Sequence, residues 1–389
     1  MAGIIVRPHS RILHGHDWVY GSEVTKVYGQ PQNGDVISIK DGRDRFLGSA
    51  IYNSQSAIVA RRFSHRRQAL NLDFLIRRLR HAEAVRQPLF GPNRPCRLVW
   101  SESDGLPGLI IDRFGEVLVC QIQTYALELE KELLWEAVRQ VFGFKGLVFR
   151  GDSSARIKEG LSAHEPVIYG EVPTEVLIEV AGIQFSVDVL TGQKTGFYLD
   201  QVANYQKVSA YASERKVLDC FANQGGFALS CARAGARAVT AVESGSASLK
   251  RLRENARRNQ MEMESIEADV FDFLKGEERR KSQYDLIILD PPSFTKVRSR
   301  IHDALRGYQE LHLRAAKLLS KGGILATFSC SHHISSEALL ETVRTAFHQA
   351  RRSVRLRERL AQGLDHPILL HLPETEYLKG MLIEEVASF

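Results

Sequence analysis

From Lys216 onward the sequence settles into a rhythm that few folds accommodate. Four short apolar runs, Lys216-Val-Leu-Asp-Cys-Phe, Ala238-Val-Thr-Ala-Val-Glu, Tyr284-Asp-Leu-Ile-Ile-Leu-Asp and Gly323-Ile-Leu-Ala-Thr-Phe-Ser, alternate with stretches whose apolar residues recur at helical spacing. Strands apolar on both faces, interleaved with amphipathic helices, predict an α/β domain of Rossmann-like type. Its sheet is mainly parallel and covered on both sides, and its ligands sit at the carboxyl ends of the strands. Two late runs, Pro367-Ile-Leu-Leu-His-Leu and Met381-Leu-Ile-Glu-Glu-Val, are candidate strands for an antiparallel edge.

The beginning of the chain follows another period. Gly34-Asp-Val-Ile-Ser-Ile-Lys, Phe46-Leu-Gly-Ser-Ala-Ile-Tyr and Ala57-Ile-Val-Ala-Arg-Arg-Phe read as short strands separated by turns, which a small β-barrel closes naturally. At Asn71 the spacing becomes helical through Leu72, Leu75, Ile76 and Leu79. Strand and helix signals then mix up to about residue 172. The expected organisation is therefore a barrel over 1–68, a small α+β middle domain over 69–172 and the Rossmann-like domain over 173–389, a division in keeping with 389 residues.

Composition narrows the class of function. No stretch of ~18 apolar residues occurs, and the first residues lack a secretory core, so a cytoplasmic protein without membrane attachment is expected. Five scattered cysteines (Cys96, Cys120, Cys220, Cys231, Cys330) show neither metal-ligand nor disulfide spacing. No metal is expected, and the oligomeric state is open, a homodimer included. The net charge of +6 permits a polyanionic partner without demanding one. Its distribution says more: arginines at 61, 62, 66 and 67 and at 77, 78 and 80 flank the first domain junction, with further groups at 279–281, 296–300 and 351–359. Arg61 and Arg62 are taken as RNA contacts on this ground.

A nucleoside pocket is expected where the first strand of the Rossmann-like domain meets its helix. Asp219-Cys-Phe-Ala-Asn-Gln-Gly-Gly-Phe carries Phe221, Asn223, Gly225 and Gly226 into the turn, the glycines allowing close backbone approach. The next strand ends in Glu243-Ser244, the carboxylate being placed for ribose hydroxyls, and Asp269 falls after the following strand, placed for an adenine amino group. A dinucleotide fingerprint would show Gly-x-Gly-x-x-Gly around a pyrophosphate. Asn223-Gln-Gly-Gly with acidic partners suits S-adenosylmethionine, which has no phosphate.

The fourth strand ends in Asp290-Pro291-Pro292-Ser-Phe294, a loop stiffened by two prolines that can hold Asp290 and its carbonyls against the polar edge of a base. Phe294 either stacks on a flipped base or fills the core, and Lys296 follows as a base-side cation. The next strand ends in Phe328-Ser-Cys330-Ser-His-His. C5 of a pyrimidine is a poor nucleophile until a thiolate adds to C6, and Cys330 beside the Asp-Pro-Pro loop is placed for that covalent step. Asp290 would contact N3 of the activated ring. Cys220, within its strand, is expected to point into the core.

With these residues the chain resembles the bacterial 23S ribosomal RNA large-subunit cytosine-C5 methyltransferase I family, which carries an N-terminal PUA domain. The likeness rests on His16-Asp-Trp-Val-Tyr and Phe46-Leu-Gly-Ser-Ala-Ile-Tyr-Asn near the start, and on Glu102-Ser-Asp-Gly-Leu-Pro-Gly-Leu-Ile-Ile-Asp-Arg in the middle. It continues through Gly192-Gln-Lys-Thr-Gly-Phe-Tyr-Leu-Asp-Gln, Asp290-Pro-Pro-Ser-Phe and Ser329-Cys-Ser-His. The resemblance implies S-adenosylmethionine contacts from Lys194, Phe197, Asp200 and Gln201, with Asp290 and Pro291 at the same rim, Cys330 as nucleophile and ribosomal RNA as partner. Two departures stand out: Asn223-Gln224 where relatives have a smaller pair, and Val202 where a basic residue is expected. Two further readings stay open, a methyltransferase for a purine-ring or exocyclic nitrogen and a non-catalytic RNA-binding assembly factor.

Overall fold

In the computed structural model, which describes residues 2–91, 93–295 and 297–386, the chain forms two compact units that are not contiguous in sequence. The first gathers Met1–Ile178, Val187–Leu199 and Leu364–Thr375; the second gathers Glu179–Ser186, Asp200–Gly363 and Glu376–Phe389.

In the first unit, β1 (Gly3–Val6), β2 (Trp18–Tyr20), β3 (Val24–Tyr28), β4 (Val36–Lys40), β5 (Phe46–Tyr52) and β6 (Ile58–Ser64) make one sheet in the order β2-β6-β5-β4-β1-β3. All its pairs are antiparallel except β1 with β4. Ile4, Val6, Val19, Ile37, Ile39 and Ala60 fill the core on one face of it, side chains alternating between faces along each strand. A second sheet, β11-β10-β9-β8-β7, is built from β7 (Cys96–Trp100), β8 (Leu109–Phe114), β9 (Val117–Ile122), β10 (Gly146–Arg150) and β11 (Val167–Gly170). Against it pack α1 (Leu72–Phe90), capped by Asn71, with its Phe74, Leu75 and Leu79, and α3 (Lys131–Val141), with Leu134 and Val138. The shorter α2 (Tyr125–Leu129) and α4 (Ser154–Lys158) flank these elements. Ile51 and Phe63 of the first sheet enter the same core, so the two sheets are packed as one body.

That packing explains a departure from expectation. Arg61 and Arg62 are not surface cations for RNA. Arg61 donates to Glu102 at 2.9 Å and to Glu159 at 3.0 Å and lies over the Trp18 ring. Arg62, 6% exposed, pairs with Asp17 at 2.8 Å and donates to the Gly15 carbonyl. Both guanidinium groups neutralise carboxylates inside the unit, a use that a basic run in sequence cannot reveal.

The chain then makes a hairpin of β12 (Val176–Val180) and β13 (Ile183–Val187). After α5 (Val202–Ser209) the second unit alternates as the sequence predicts: β14 (Lys216–Cys220), α6 (Gly226–Arg233), β15 (Ala238–Glu243), α7 (Ser246–Arg258), β16 (Glu264–Glu267), α8 (Val270–Arg280), β17 (Tyr284–Leu289), α9 (Ile301–Leu318), β18 (Leu319–Ser329) and α10 (Ser336–Gln349). Two last strands follow, β19 (Ser353–Ala361) and β20 (Lys379–Val386), and the sheet order is β16-β15-β14-β17-β18-β20-β19. From β16 to β18 all neighbours are parallel; β20 is antiparallel to β18 and to β19. The order reverses between β14 and β17, and a crevice opens at the carboxyl ends of strands at such a point.

Of the two edge candidates, Met381–Val386 falls in β20, antiparallel to β18 as expected, and the other is corrected. Pro367–Leu372 is no strand of this sheet: it belongs to the first unit and makes only an isolated bridge between Leu369 and Leu372, with Leu370 96% exposed. The edge strand is instead the basic run, β19, whose Arg355 and Arg357 both reach Glu384 of β20. Charged side chains along an outermost strand discourage further pairing. No helix among the described residues is long and apolar enough to cross a membrane.

The core of this unit holds a buried imidazole. His312 of α9 is buried between Thr327 and Thr342, with ring-nitrogen to hydroxyl distances of 2.8 and 3.1 Å. Burial lowers its proton affinity to a pKa of about 3. The unfolded chain takes up a proton near pH 6.5 that the folded chain refuses, so stability is full above that pH and falls on acidification towards pH 3. The loss is expected to approach about 1.4 kcal/mol per pH unit from this group. Urea denaturation of wild type and His312→Gln across pH 4–7 checks it: the difference in slope between the two should carry this term.

Candidate active site

The rim of the second unit's sheet is organised by the turn from β14 into α6. Phe221, Asn223 and Gly225 take φ of 63°, 47° and 94°, so two side chains with Cβ atoms are held in the left-handed region. Strain of this kind persists only where surroundings enforce it. Glu243, at the end of β15, does so here, accepting from Asn223 N at 2.9 Å through one oxygen and from Gly245 N at 2.7 Å through the other. Ser244 follows, exposed, on the way into α7. Gly226 has a different reason from the one its sequence position suggests: a Cβ there would stand 2.3 Å from the Tyr205 ring of α5, so close helix packing needs it bare.

Asp219 lies beneath this turn, 1% exposed, with one oxygen accepting from Ala228 N at 2.9 Å and the other without a side-chain or backbone partner. Burial, then the nearby Asp290, push its carboxyl well above the usual carboxylate range. Asp269 caps α8 by accepting from Asp272 N at 3.1 Å and is otherwise exposed. The structure thus brings Asp219, Phe221, Asn223, Gly225, Gly226, Glu243 and Asp290 to one rim of one sheet.

Asp290, one residue past β17, is half-buried and accepts from Gln201 Nε2 at 3.0 Å; Gln201 in turn accepts from Asn204 Nδ2 at 2.6 Å. Asp200 accepts from the Tyr377 hydroxyl at 2.6 Å. Of the loop that follows, Pro291 is buried and Pro292 exposed. Phe294 is half-buried, its ring 4.7 Å from that of Tyr308, so one face is spent on packing. Lys296 lies outside the described residues. Lys194 and Phe197 belong to the first unit: Lys194 has its Nζ 4.4 Å from the Tyr198 ring centre, and Phe197 is 1% exposed.

Cys330 stands immediately after β18 and is the one cysteine of the five that is not buried; Cys220, as expected, is in the core. Around its turn the Tyr308 hydroxyl donates to Ser329 Oγ at 2.9 Å, and Ser293 Oγ lies 3.1 Å from Ser331 Oγ. The Tyr308 hydroxyl is pushed up to about 12, by burial first, with Cys330 and Asp290 both acting on it in the same direction. One phenol therefore feels the thiol and the carboxylate together. Tyr308 went unnoticed in the sequence because it sits mid-helix in ordinary core spacing.

These groups fit S-adenosylmethionine. An unpaired buried carboxylate oxygen at Asp219 and the acidic set around a phosphate-free turn suit a ligand that carries an ammonium and a sulfonium. No cluster of three His, Cys, Asp or Glu arranged to hold a metal occurs among the described residues.

Comparison with known proteins agrees with this reading. Residues 156–372 match the family described as S-adenosylmethionine-dependent methyltransferase, and residues 7–65 match the PUA-like domain. Ribosomal RNA large subunit methyltransferase I of Aeromonas salmonicida is 37% identical over 379 residues, covering 96% of each chain. The chain belongs to that family. The corresponding protein of Tolumonas auensis is also 37% identical, over 383 residues and 96% of each chain. The fold of these S-adenosylmethionine-dependent methyltransferases is shared by a crystallised methyltransferase, SMU.776, complexed with SAH, at TM-score 0.86 and 22% identity over 99% of this chain and 100% of that one. A SAM-dependent methyltransferase from Streptococcus mutans superposes with TM-score 0.83 at 23% identity, over 98% and 100% of the two chains.

Glu243→Ala releases the turn's two N–H donors and removes a carboxylate from the rim. Titration calorimetry with S-adenosylmethionine is expected to show affinity reduced by about tenfold or more, the effect of losing charged hydrogen bonds. Unchanged affinity would remove Glu243 from the binding site.

Proposed function

We propose that this chain forms 5-methylcytosine in large-subunit (23S) ribosomal RNA, with Cys330 as the covalent nucleophile. Residues 1–68 would serve as the RNA-reading module, 69–172 as a supporting middle domain and 173–389 as the transferase. The observation that carries the reading is the position of Cys330: half-buried, just past the carboxyl end of β18, on a turn whose Ser331 Oγ lies 3.1 Å from Ser293 Oγ of the loop that Asp290 opens. The names of the relatives support ribosomal RNA as the target.

When bound, S-adenosylmethionine supplies a methyl group on a sulfonium, and it would be held by Asp219, Glu243, Ser244 and Asp269, by the turn from Phe221 to Gly226, and by Asp200 and Gln201. The chain's own part is to make C5 of cytosine reactive. The Cys330 thiolate forms a bond to C6, and the C5–C6 double-bond pair becomes available at C5. Asp290, fixed by Gln201, holds the N3 edge of the ring, with Pro291 and Pro292 keeping its loop stiff and Phe294 on the base side. After methylation, loss of the C5 proton restores the C5–C6 double bond and the sulfur leaves again as thiolate.

RNA contact is assigned to exposed cations such as Arg66, just past β6, in place of the internally paired Arg61 and Arg62. Binding is expected to weaken with rising salt, since these cations displace counterions from phosphate.

Mass spectrometry of nucleosides from the large-subunit RNA tests the proposal. A strain lacking this protein should lose one 5-methylcytidine; wild type should restore it, and Cys330→Ala should not, its rate falling by a thousandfold or more, on the order seen when a covalent nucleophile is removed. Full restoration by Cys330→Ala would favour methylation of a nitrogen.

A further inference from the structure

Lys379 opens β20 and stands in register with Ser329, the last residue of β18. Its side chain is buried, 7% exposed, and its Nζ donates to the Ser331 carbonyl and to the Tyr377 carbonyl, each at 2.9 Å. Ser331 directly follows Cys330, so the ammonium is anchored to the turn that carries the sulfur. A buried ammonium is costly unless an anion faces it. Among the described residues Lys379 has two neutral carbonyls for three N–H groups and no carboxylate within ion-pair reach. Burial pulls the ammonium below the usual lysine range; Cys330, and after it Glu376, act to retain its proton.

We infer that Lys379, anchored to the turn that carries Cys330, holds its sulfur as a thiolate by its charge and is the positioning residue for the nucleophile. The catalytic use of this pair rests on the C5 reading above; the pair itself does not. The thiol proton leaves to water, and the ammonium keeps its three protons throughout, so Lys379 is a fixed counter-charge and not a base. It serves twice, before the sulfur bonds to C6 and again when that bond breaks and the thiolate returns. Among the described residues, the other charged or titratable groups about the turn are Asp290 from the end of β17, Tyr308 from α9, His332 and His333 next in sequence, and Glu376 and Tyr377 ahead of β20. Asp290 opposes a thiolate, which leaves Lys379 as the cation that offsets it.

Alkylation of the native protein by iodoacetamide across pH reads the thiolate directly, because the other four cysteines are buried. Cys330→Ser supplies the blank. Wild-type alkylation should titrate with a midpoint below the ordinary thiol range. Lys379→Met should raise that midpoint by about 1–3 pH units, and Lys379→Arg, which keeps the cation, should restore most of the shift. A wild-type midpoint at or above the ordinary range overturns the inference without any variant, and so does a midpoint unmoved in Lys379→Met. Should Lys379→Met fail to fold, the wild-type and Arg midpoints decide alone. If Cys330→Ala still methylates RNA while the wild-type sulfur titrates low, the C5 reading fails and the ion pair stands. If Cys330→Ala is inactive and Lys379→Met leaves the midpoint unmoved, the reading stands and the ion pair fails.

Discussion

The pairing of β14 with β17, strands separated by two intervening strand-helix units, fixes everything at the rim of the second unit. Parallel neighbours present their carboxyl ends on the same side, so Asp219 near the end of β14 and Asp290 after β17 face one crevice. Adding β18 beside β17 brings Cys330 to the same side. The cost is electrostatic: two carboxyl groups share a poorly solvated place, and Asp219 answers by holding its proton more tightly. A cationic methyl donor relieves that repulsion, which is a physical reason for this acidic rim to receive a sulfonium.

Much of this could be read before any coordinates, because strands buried on both faces must be apolar along their length. Lys216–Cys220, Ala238–Glu243 and Tyr284–Leu289 therefore stood out, and the residues ending them were the natural candidates. Glycines were read less well. Gly226 looked like a ligand-approach position, yet the Tyr205 ring is what forbids a side chain there.

Charge was the least legible quantity. Arg61 and Arg62 stood in a basic run, but their partners Glu102, Glu159 and Asp17 are remote in sequence. Arg355 and Arg357 of the 351–359 run lie on an edge strand and pair with Glu384, and Pro367–Leu372, apolar enough for a strand, instead belongs to the first unit. Lys379 and Tyr308 were invisible for the same reason. A lysine before an apolar strand and a tyrosine within an amphipathic helix are commonplace, and only the register of β20 on β18 and the packing of α9 bring them to Cys330.

The central claim is a bond between the Cys330 sulfur and C6 of a cytosine. RNA in which the target cytosine carries fluorine at C5 tests it most directly, because fluorine cannot leave as the proton does and the final elimination is blocked. Wild-type protein with S-adenosylmethionine should yield an RNA–protein adduct that survives denaturing electrophoresis and maps by peptide mass spectrometry to Cys330. Methylation of that RNA with no adduct, or an adduct at another residue, would contradict the account.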